Sequence, residues 1–280
     1  MYLWYVRKNG RVSRERGWGT MSTALLTEAP AGHFATLEQN TVALARSASR
    51  FLEEGIRNGS AAVLIAAQST RDYFIQYIQN AGFDVDELVA SGLLTIIDAE
   101  PTIDRLMRYS VPDWDEFNRI VGSAVIRAGR AARPTPRVYG ELVNLLWQSN
   151  RERAAIRIEE YWNKLARKHR FSIFCGYVMD CHDRAAYSGP LHEIGRTHST
   201  VIASEDDRPF SRALERACSE VYGISVSLLL KLSNSENVVG ESRLPTSWRT
   251  LRWLMKSMPV SGESVFLRTL RYYRDREKTA

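Results

Sequence analysis

Short apolar runs of strand length alternate along this chain with stretches whose apolar residues recur every three or four positions. The runs are His33 to Leu37, Ala61 to Ala67, Leu93 to Ile97, Val138 to Leu142 and Phe171 to Tyr177. Phe171-Ser-Ile-Phe-Cys-Gly-Tyr177 is apolar on both faces, which suits a parallel strand covered by helices on either side. Between the runs, Leu44, Ala48, Phe51 and Gly55 share one helical face. So do Phe74, Tyr77, Ile78 and Ala81, then Phe117, Ile120, Val121, Ala124 and Ala128, and finally Ala155, Ile158, Trp162 and Leu165. Val85 to Val89 reads as a further short helix, and Ile103 to Tyr109 as another inside a connector. The alternation predicts an α/β fold, a doubly wound and mostly parallel sheet with helices on both faces.

Punctuation supports the boundaries. Asn40-Thr41 opens the first helix, and Asn58-Gly59, Gly82 and Ser91-Gly92 mark stops. Ser69 with Asp72, and Asp113 with Glu116, have the spacing of capping boxes. Asn150 is a candidate cap for the helix that follows it. Glu160 precedes Lys164 by four, the spacing of a favourable exposed ion pair. Lys168, His169 and Arg170 crowd the end of that helix, where cations suit its dipole.

After Tyr177 the texture changes. Asp180 to Asp207 is polar and loop-like and holds His182, His192 and His198, at spacings unlike a zinc finger or ribbon, so no metal centre is expected. Phe210, Ala213, Leu214, Ala217 and Val221 form another helical face, which Ile224 to Leu232 can prolong. Residues 233 to 243 read as a linker, and residues 245 to 273 as two short helices carrying Trp248, Leu251, Trp253 and Leu254, then Val265, Leu267, Leu270 and Tyr273. The expected organisation is a poorly ordered tail (1–32), an α/β domain (33–180), a loop and helix extension (181–232), and a linker with a basic helical pair (233–280).

Three segments together resemble a known family. Arg137-Val-Tyr-Gly-Glu-Leu-Val-Asn-Leu-Leu-Trp147, Ile158-Glu-Glu-Tyr-Trp-Asn163 and Phe171 to Tyr177 are similar to the MEDS domain, a sensory domain of methanogens, methylotrophs and a dichloromethane-responsive regulator. The resemblance runs from about His33 to about Met179. It implies ligand sensing in prokaryotic signalling, for simple one-carbon or hydrocarbon-derived molecules, on a fold related to RecA- and KaiC-like ATPases. The family's first motif begins with a histidine, matched by His33, and usually has an aromatic before an acid, where this chain has Leu37 before Glu38. In the ATPases a glycine-rich loop with a lysine precedes the first helix. Here that place reads Leu37-Glu-Gln-Asn-Thr-Val42, without the glycines and lysine that cradle phosphate, so no nucleotide cofactor is expected.

Composition narrows the picture further. Hydrophobic residues at 44% and charged residues at 25% of 280 are ordinary for a globular protein. The net charge of +6 is a mild excess. Nine Lys/Arg stand against four Asp/Glu from Glu241 to Ala280, so residues 245 to 273 admit a DNA-binding helix-turn-helix. The competing expectation is an amphipathic pair docked on a partner or on the domain itself, because its tryptophans need burial. The N-terminal arginines and lysine belong to a tail, and Met21 is an alternative start to Met1. Three cysteines and no apolar run near the roughly 20 residues of a membrane span lead to the expectation of a reduced, cytoplasmic protein. There is no nucleophile elbow, hydrolytic metal motif or kinase signature, so a non-enzymatic sensor is expected. A degenerate nucleotide-binding protein and a DNA-binding regulator are the alternatives.

In an open parallel sheet, ligands sit beyond the carboxyl ends of the strands. A RecA-like order makes the strands at 33–37, 138–142 and 171–177 neighbours. Glu38, Glu141, Cys175 and Tyr177 can then converge; with His33, which the family resemblance adds, they are the candidate ligand-binding residues, with a small molecule and a signalling protein as expected partners. His33 lies at the start of its strand, which places it at the opposite end of the sheet unless its side chain reaches across.

Overall fold

A computed structural model describes residues 31–131, 134–202, 207–233 and 243–277. The basic N-terminal stretch, Arg133 and most of the expected 233–243 linker lie outside the described residues. In chain order the elements are β1 (Gly32–Glu38), α1 (Thr41–Arg57), β2 (Ala62–Ala66), α2 (Gln68–Asn80), α3 (Val85–Ala90), β3 (Leu94–Asp98), α4 (Ala99–Leu106), β4 (Met107–Arg108), β5 (Val111–Pro112), α5 (Trp114–Phe117), α6 (Ser123–Ala131), β6 (Arg137–Gly140), α7 (Leu142–Gln148) and α8 (Glu152–Ala166). Then come β7 (Ser172–Val178), α9 (Arg184–Ser188), α10 (Pro190–Thr197), β8 (Thr200–Ile202), α11 (Asp207–Tyr222), α12 (Val226–Ser233), α13 (Thr246–Ser257) and α14 (Pro259–Glu277).

The main sheet has the order β3-β2-β6-β7-β1-β8, and every pair in it is parallel. The strands at 33–37, 138–140 and 172–178 are adjacent, as expected. Helices cover both faces and give two apolar cores. One core, on the α1 side, joins Phe34, Leu44, Phe51, Phe74, Tyr139 and Phe174. There α1 packs so closely that a Cβ on Gly176 would lie 2.3 Å from Leu44 Cδ1, so glycine is required at this point on β7. The other core is continuous from Ala35, Cys175 and Trp162 through Leu214 and Leu251 to Tyr273. The C-terminal helices therefore dock on the domain itself, with Trp248, Leu251 and Leu254 buried. Their apolar face is used within the chain.

Several local expectations give way to tertiary structure. Leu142 is not in a strand: β6 stops at Gly140, and the apolar Leu142–Trp147 run forms α7, a helix too short to show a period. Ser69 and Asp72 make no capping box, since α2 begins after Ala67 with no capping side chain of its own. Asn150 is not a cap either. It holds a left-handed φ of 56° at the turn between α7 and α8, a conformation asparagine tolerates better than most residues. Glu160 pairs with Arg157 at 2.9 Å rather than with Lys164, whose ammonium sits 3.7 Å above the Trp114 ring. The expected helix at 103–109 is shifted to α4, capped by Asp98, and a β4–β5 hairpin follows. Gly223, at φ 70°, separates α11 from α12, so Ile224–Leu232 does not prolong the first helix. The polar stretch 180–207 contains α9, α10 and β8. By contrast, Asn40 and Asp113 cap as expected, accepting from Ala43 N at 2.9 Å and Glu116 N at 3.0 Å.

Candidate functional site

Strand pleating sets the first part of the site. His33, Ala35 and Leu37 point to one face of β1, and Ile173, Cys175 and Tyr177 point to the same face of β7. The register pairs Ala35 with Cys175 and Leu37 with Tyr177. Helix α8 lies across this face and turns Glu159 inward, with Asn163 one turn further on. His198 ends α10, immediately before β8 joins β1. Four segments distant in sequence thus converge on one carboxylate.

Glu159 is fully buried. Its Oε2 lies 2.9 Å from His33 Nε2 and accepts from Cys175 Sγ at 3.4 Å. Its Oε1 accepts from the Tyr177 hydroxyl and lies 3.2 Å from His198 Nε2. Cys175 Sγ is also 3.4 Å from His33 Nε2. The two imidazole rings are 4.2 Å apart between centroids.

The far side of each ring is fixed by a carbonyl-type acceptor. Asn163 Nδ2 donates to the Thr197 carbonyl at 2.7 Å, which orients the amide so that its Oδ1 accepts from His33 Nδ1 at 3.1 Å. His198 Nδ1 donates to the Ile194 carbonyl at 2.8 Å. Each Nδ1 thus has its own acceptor, and each Nε2 is turned toward the carboxylate. His198 Nε2 is buried there with no hydrogen-bond partner among the described residues.

Burial pushes the Glu159 carboxyl up, but the two imidazoles and their hydrogen bonds outweigh it and hold the group below the usual carboxylate range. Burial, and then His198, pull the His33 imidazole below its ordinary value. Burial, reinforced by the Glu159 charge, pushes the Cys175 thiol and the Tyr177 phenol well up, so both remain donors. Burial pushes the Cys181 thiol up and raises Cys218 to about 12. All three thiols are buried and free. A rise from 9 to about 12 lowers the thiolate population roughly a thousandfold. Iodoacetamide at pH 8 is therefore expected to leave the native, metal-free protein unlabelled and to modify all three cysteines in denaturant. Rapid native labelling of any one of them would contradict this geometry.

The structure separates the other two candidates from this cluster. Glu141 is buried, but it braces the start of α2. Its carboxylate accepts from Ala67 N and Thr70 Oγ1, both at 2.9 Å, and supplies the cap that α2 lacks. Glu38 lies past the opposite face of β1, where it accepts from Ser47 Oγ at 2.7 Å and Thr36 Oγ1 at 3.3 Å. Neither meets His33, and of the five candidates the structure brings together His33, Cys175 and Tyr177. At the carboxyl ends of β1 and β7, His182 packs at a tilt against Phe210 and Tyr273, with centroids at 4.6 and 4.3 Å. The chain's own C-terminal helix covers part of that end.

The open cleft lies instead at the amino end of β1. It has a volume of about 900 Å³, and Gly32, His33, Asn163 and His198 line it. Trp114 and Tyr161 add aromatic surface, and Arg157, Lys164, Arg167, Arg196 and Arg243 bring cations to its rim against the single acid Glu160. Arg243 comes from the C-terminal segment and donates to the carbonyls of Arg196 at 3.1 Å and His198 at 2.8 Å.

Sequence reasoning missed Glu159 and His198, which complete the cluster. Glu159 carried a signal: it is the acid in the buried register of α8, between Ile158 and Trp162. His198 carried none, because its partners are fixed only by the crossover to β8.

The fold is thus a parallel α/β sheet with a cleft beside a buried polar cluster. The model of the MEDS family, the methanogen/methylotroph, DcmR sensory domain, matches residues 32–199. That is more than half of the chain, and the protein belongs to the MEDS family. The match runs past the expected end at Met179 and takes in His198. No curated protein matches the chain. No helix among the described residues is long and apolar enough to cross a membrane.

Proposed function

We propose that the protein is a non-enzymatic sensor whose small-molecule ligand occupies the cleft above His33 and His198, and whose C-terminal helices report that occupancy to a signalling partner. The observation that carries this reading is Arg243. It closes one edge of the cleft on the carbonyls of Arg196 and His198 and is followed directly by α13. A ligand at that edge touches both the family fold and the helices appended to it, so it can bias the equilibrium between two arrangements of the pair. The excess of cations on the rim favours a small organic anion, with Trp114 and Tyr161 suited to a short hydrocarbon part.

Thermal unfolding of the full chain tests this with formate, acetate, propionate, dichloromethane and ATP as probes. A ligand specific to the folded state adds about 2.7 kcal/mol at a hundredfold excess over its dissociation constant. The expected result is stabilisation by a short-chain carboxylate that weakens at least tenfold in Arg196→Ala and Arg243→Ala. Stabilisation by ATP alone would replace this reading with a nucleotide-binding one. Stabilisation by none of the probes would refute the anion-binding cleft.

A further inference from the structure

We propose that His33, Glu159, Cys175 and His198 form a binding site for one divalent transition-metal ion of the zinc class. This inference stands on the side-chain cluster and not on the cleft ligand, so either can fail without the other.

The donor set is the first argument. Two imidazoles, one carboxylate and one thiol offer ligand atoms that all lie within 4.8 Å of one another, every one of them buried. Zinc is held by nitrogen at about 2.0–2.1 Å, carboxylate oxygen at about 2.0–2.2 Å and sulfur at about 2.3 Å. A tetrahedron with such bonds has edges of roughly 3.3–3.6 Å. The measured separations are 2.9 Å from His33 Nε2 to Glu159 Oε2, 3.2 Å from His198 Nε2 to Glu159 Oε1, and 3.4 Å from Cys175 Sγ to both His33 Nε2 and Glu159 Oε2. These four contacts, made through both Glu159 oxygens, are within a few tenths of an ångström of the size the ion needs, and the remaining separations reach at most 4.8 Å. Imidazole with thiolate selects zinc, cobalt or iron over the hard cations magnesium and calcium.

The second argument is tautomeric. Both Nδ1 protons are committed, to Asn163 Oδ1 and to the Ile194 carbonyl. This is the arrangement that orients a metal-ligating histidine, whose other ring nitrogen donates to a carbonyl or carboxylate. Two Nε2 atoms then face one buried carboxylate. At these distances each nitrogen–oxygen pair needs a proton or a metal cation between them. His198 Nε2 has no hydrogen-bond partner in that position.

Loading the site balances simply. Each imidazole gives its Nε2 lone pair, Glu159 binds as the carboxylate, and the Cys175 thiol loses its proton to solvent as Sγ joins the ion. Any Nε2 proton present in the free protein is released with it, so binding tightens as pH rises. Tyr177, donating to Glu159 Oε1, fixes the carboxylate from behind.

The test uses the full chain freed of metal by a chelator and titrated with Zn(II), then with Co(II) as a spectroscopic stand-in. The expected result is uptake of one equivalent per chain. The cobalt form should show the strong visible bands of four-coordinate geometry and a near-ultraviolet thiolate charge-transfer band. Cys175→Ser, nearly isosteric, should remove the charge-transfer band. His198→Gln should weaken uptake by at least a hundredfold, while His192→Gln outside the cluster should change nothing. Absence of stoichiometric uptake by the unaltered chain would overturn the site. So would cobalt bound without thiolate charge transfer, or uptake that survives His198→Gln with the fold intact by circular dichroism. The unaltered chain decides the first two outcomes, so a variant that fails to fold does not rescue the proposal.

Discussion

Replacing Glu159 by alanine is expected to destabilise the metal-free protein by about 3–5 kcal/mol, the cost of removing one partner from a buried ionic network. Four polar groups surround the carboxylate: His33, His198, Cys175 and Tyr177. Deleting it leaves each with a buried polar atom facing a void. None can turn outward, since the His33 and His198 rings are held on their far sides by Asn163 and Ile194. Glu159→Gln should lose less. Its amide can still accept from Tyr177, and its nitrogen can donate to one imidazole Nε2. Urea unfolding followed by tryptophan fluorescence reads both variants, with the free energies taken from midpoint and slope. A loss under about 1 kcal/mol for the alanine variant would mean that the network holds nothing together, and the site would be an accident of packing.

Trp248→Ala carries the second large effect, again about 3–5 kcal/mol, from lost burial and the cavity left behind. Trp248 is 2% exposed and belongs to the core that includes Cys175 and Trp162. Its neighbour Ser247 donates to Asp207 Oδ1 at 2.6 Å, which pins the start of α13 to the start of α11. The variant should therefore show faster proteolysis within residues 243–277 as well as a lower unfolding free energy. Unchanged stability would mean that α13 is only loosely seated and has its apolar face free for a partner, which would restore DNA or protein docking by residues 245–273 as a working idea.

The elements whose burial is settled by their own chain were the legible ones. The strands at His33, Ala61, Leu93 and Phe171 are apolar runs with turn residues beside them, and the α1, α2 and α8 faces have a clear period. Asn40 and Asp113 cap because the acceptor and the amide it takes are three residues apart. What failed depended on partners distant in sequence. The α2 cap is Glu141, 74 residues from Ala67, and no local spacing announces it. Lys164 left Glu160 for the Trp114 ring, which the β4–β5 hairpin and the turn after it bring into place. The site followed the same rule. His33, Cys175 and Tyr177 were visible as polar groups in apolar runs, but Glu159 shared its helix with more exposed acids and His198 sat in a polar stretch without period. The rule for open parallel sheets assumes bare carboxyl ends, and here the Phe210–His182–Tyr273 cluster, invisible in the local sequence, covers part of that end.

That aromatic cluster, with the shared core behind it, bears on modularity. The family match stops at Ser199, yet the apolar core does not. A graft of residues 32–199 onto a foreign output domain would carry an oily, uncovered flank where Phe210, Leu214, Trp248 and Tyr273 now lie, and would lack the Arg243 clasp. The transplantable unit in this chain extends through α14.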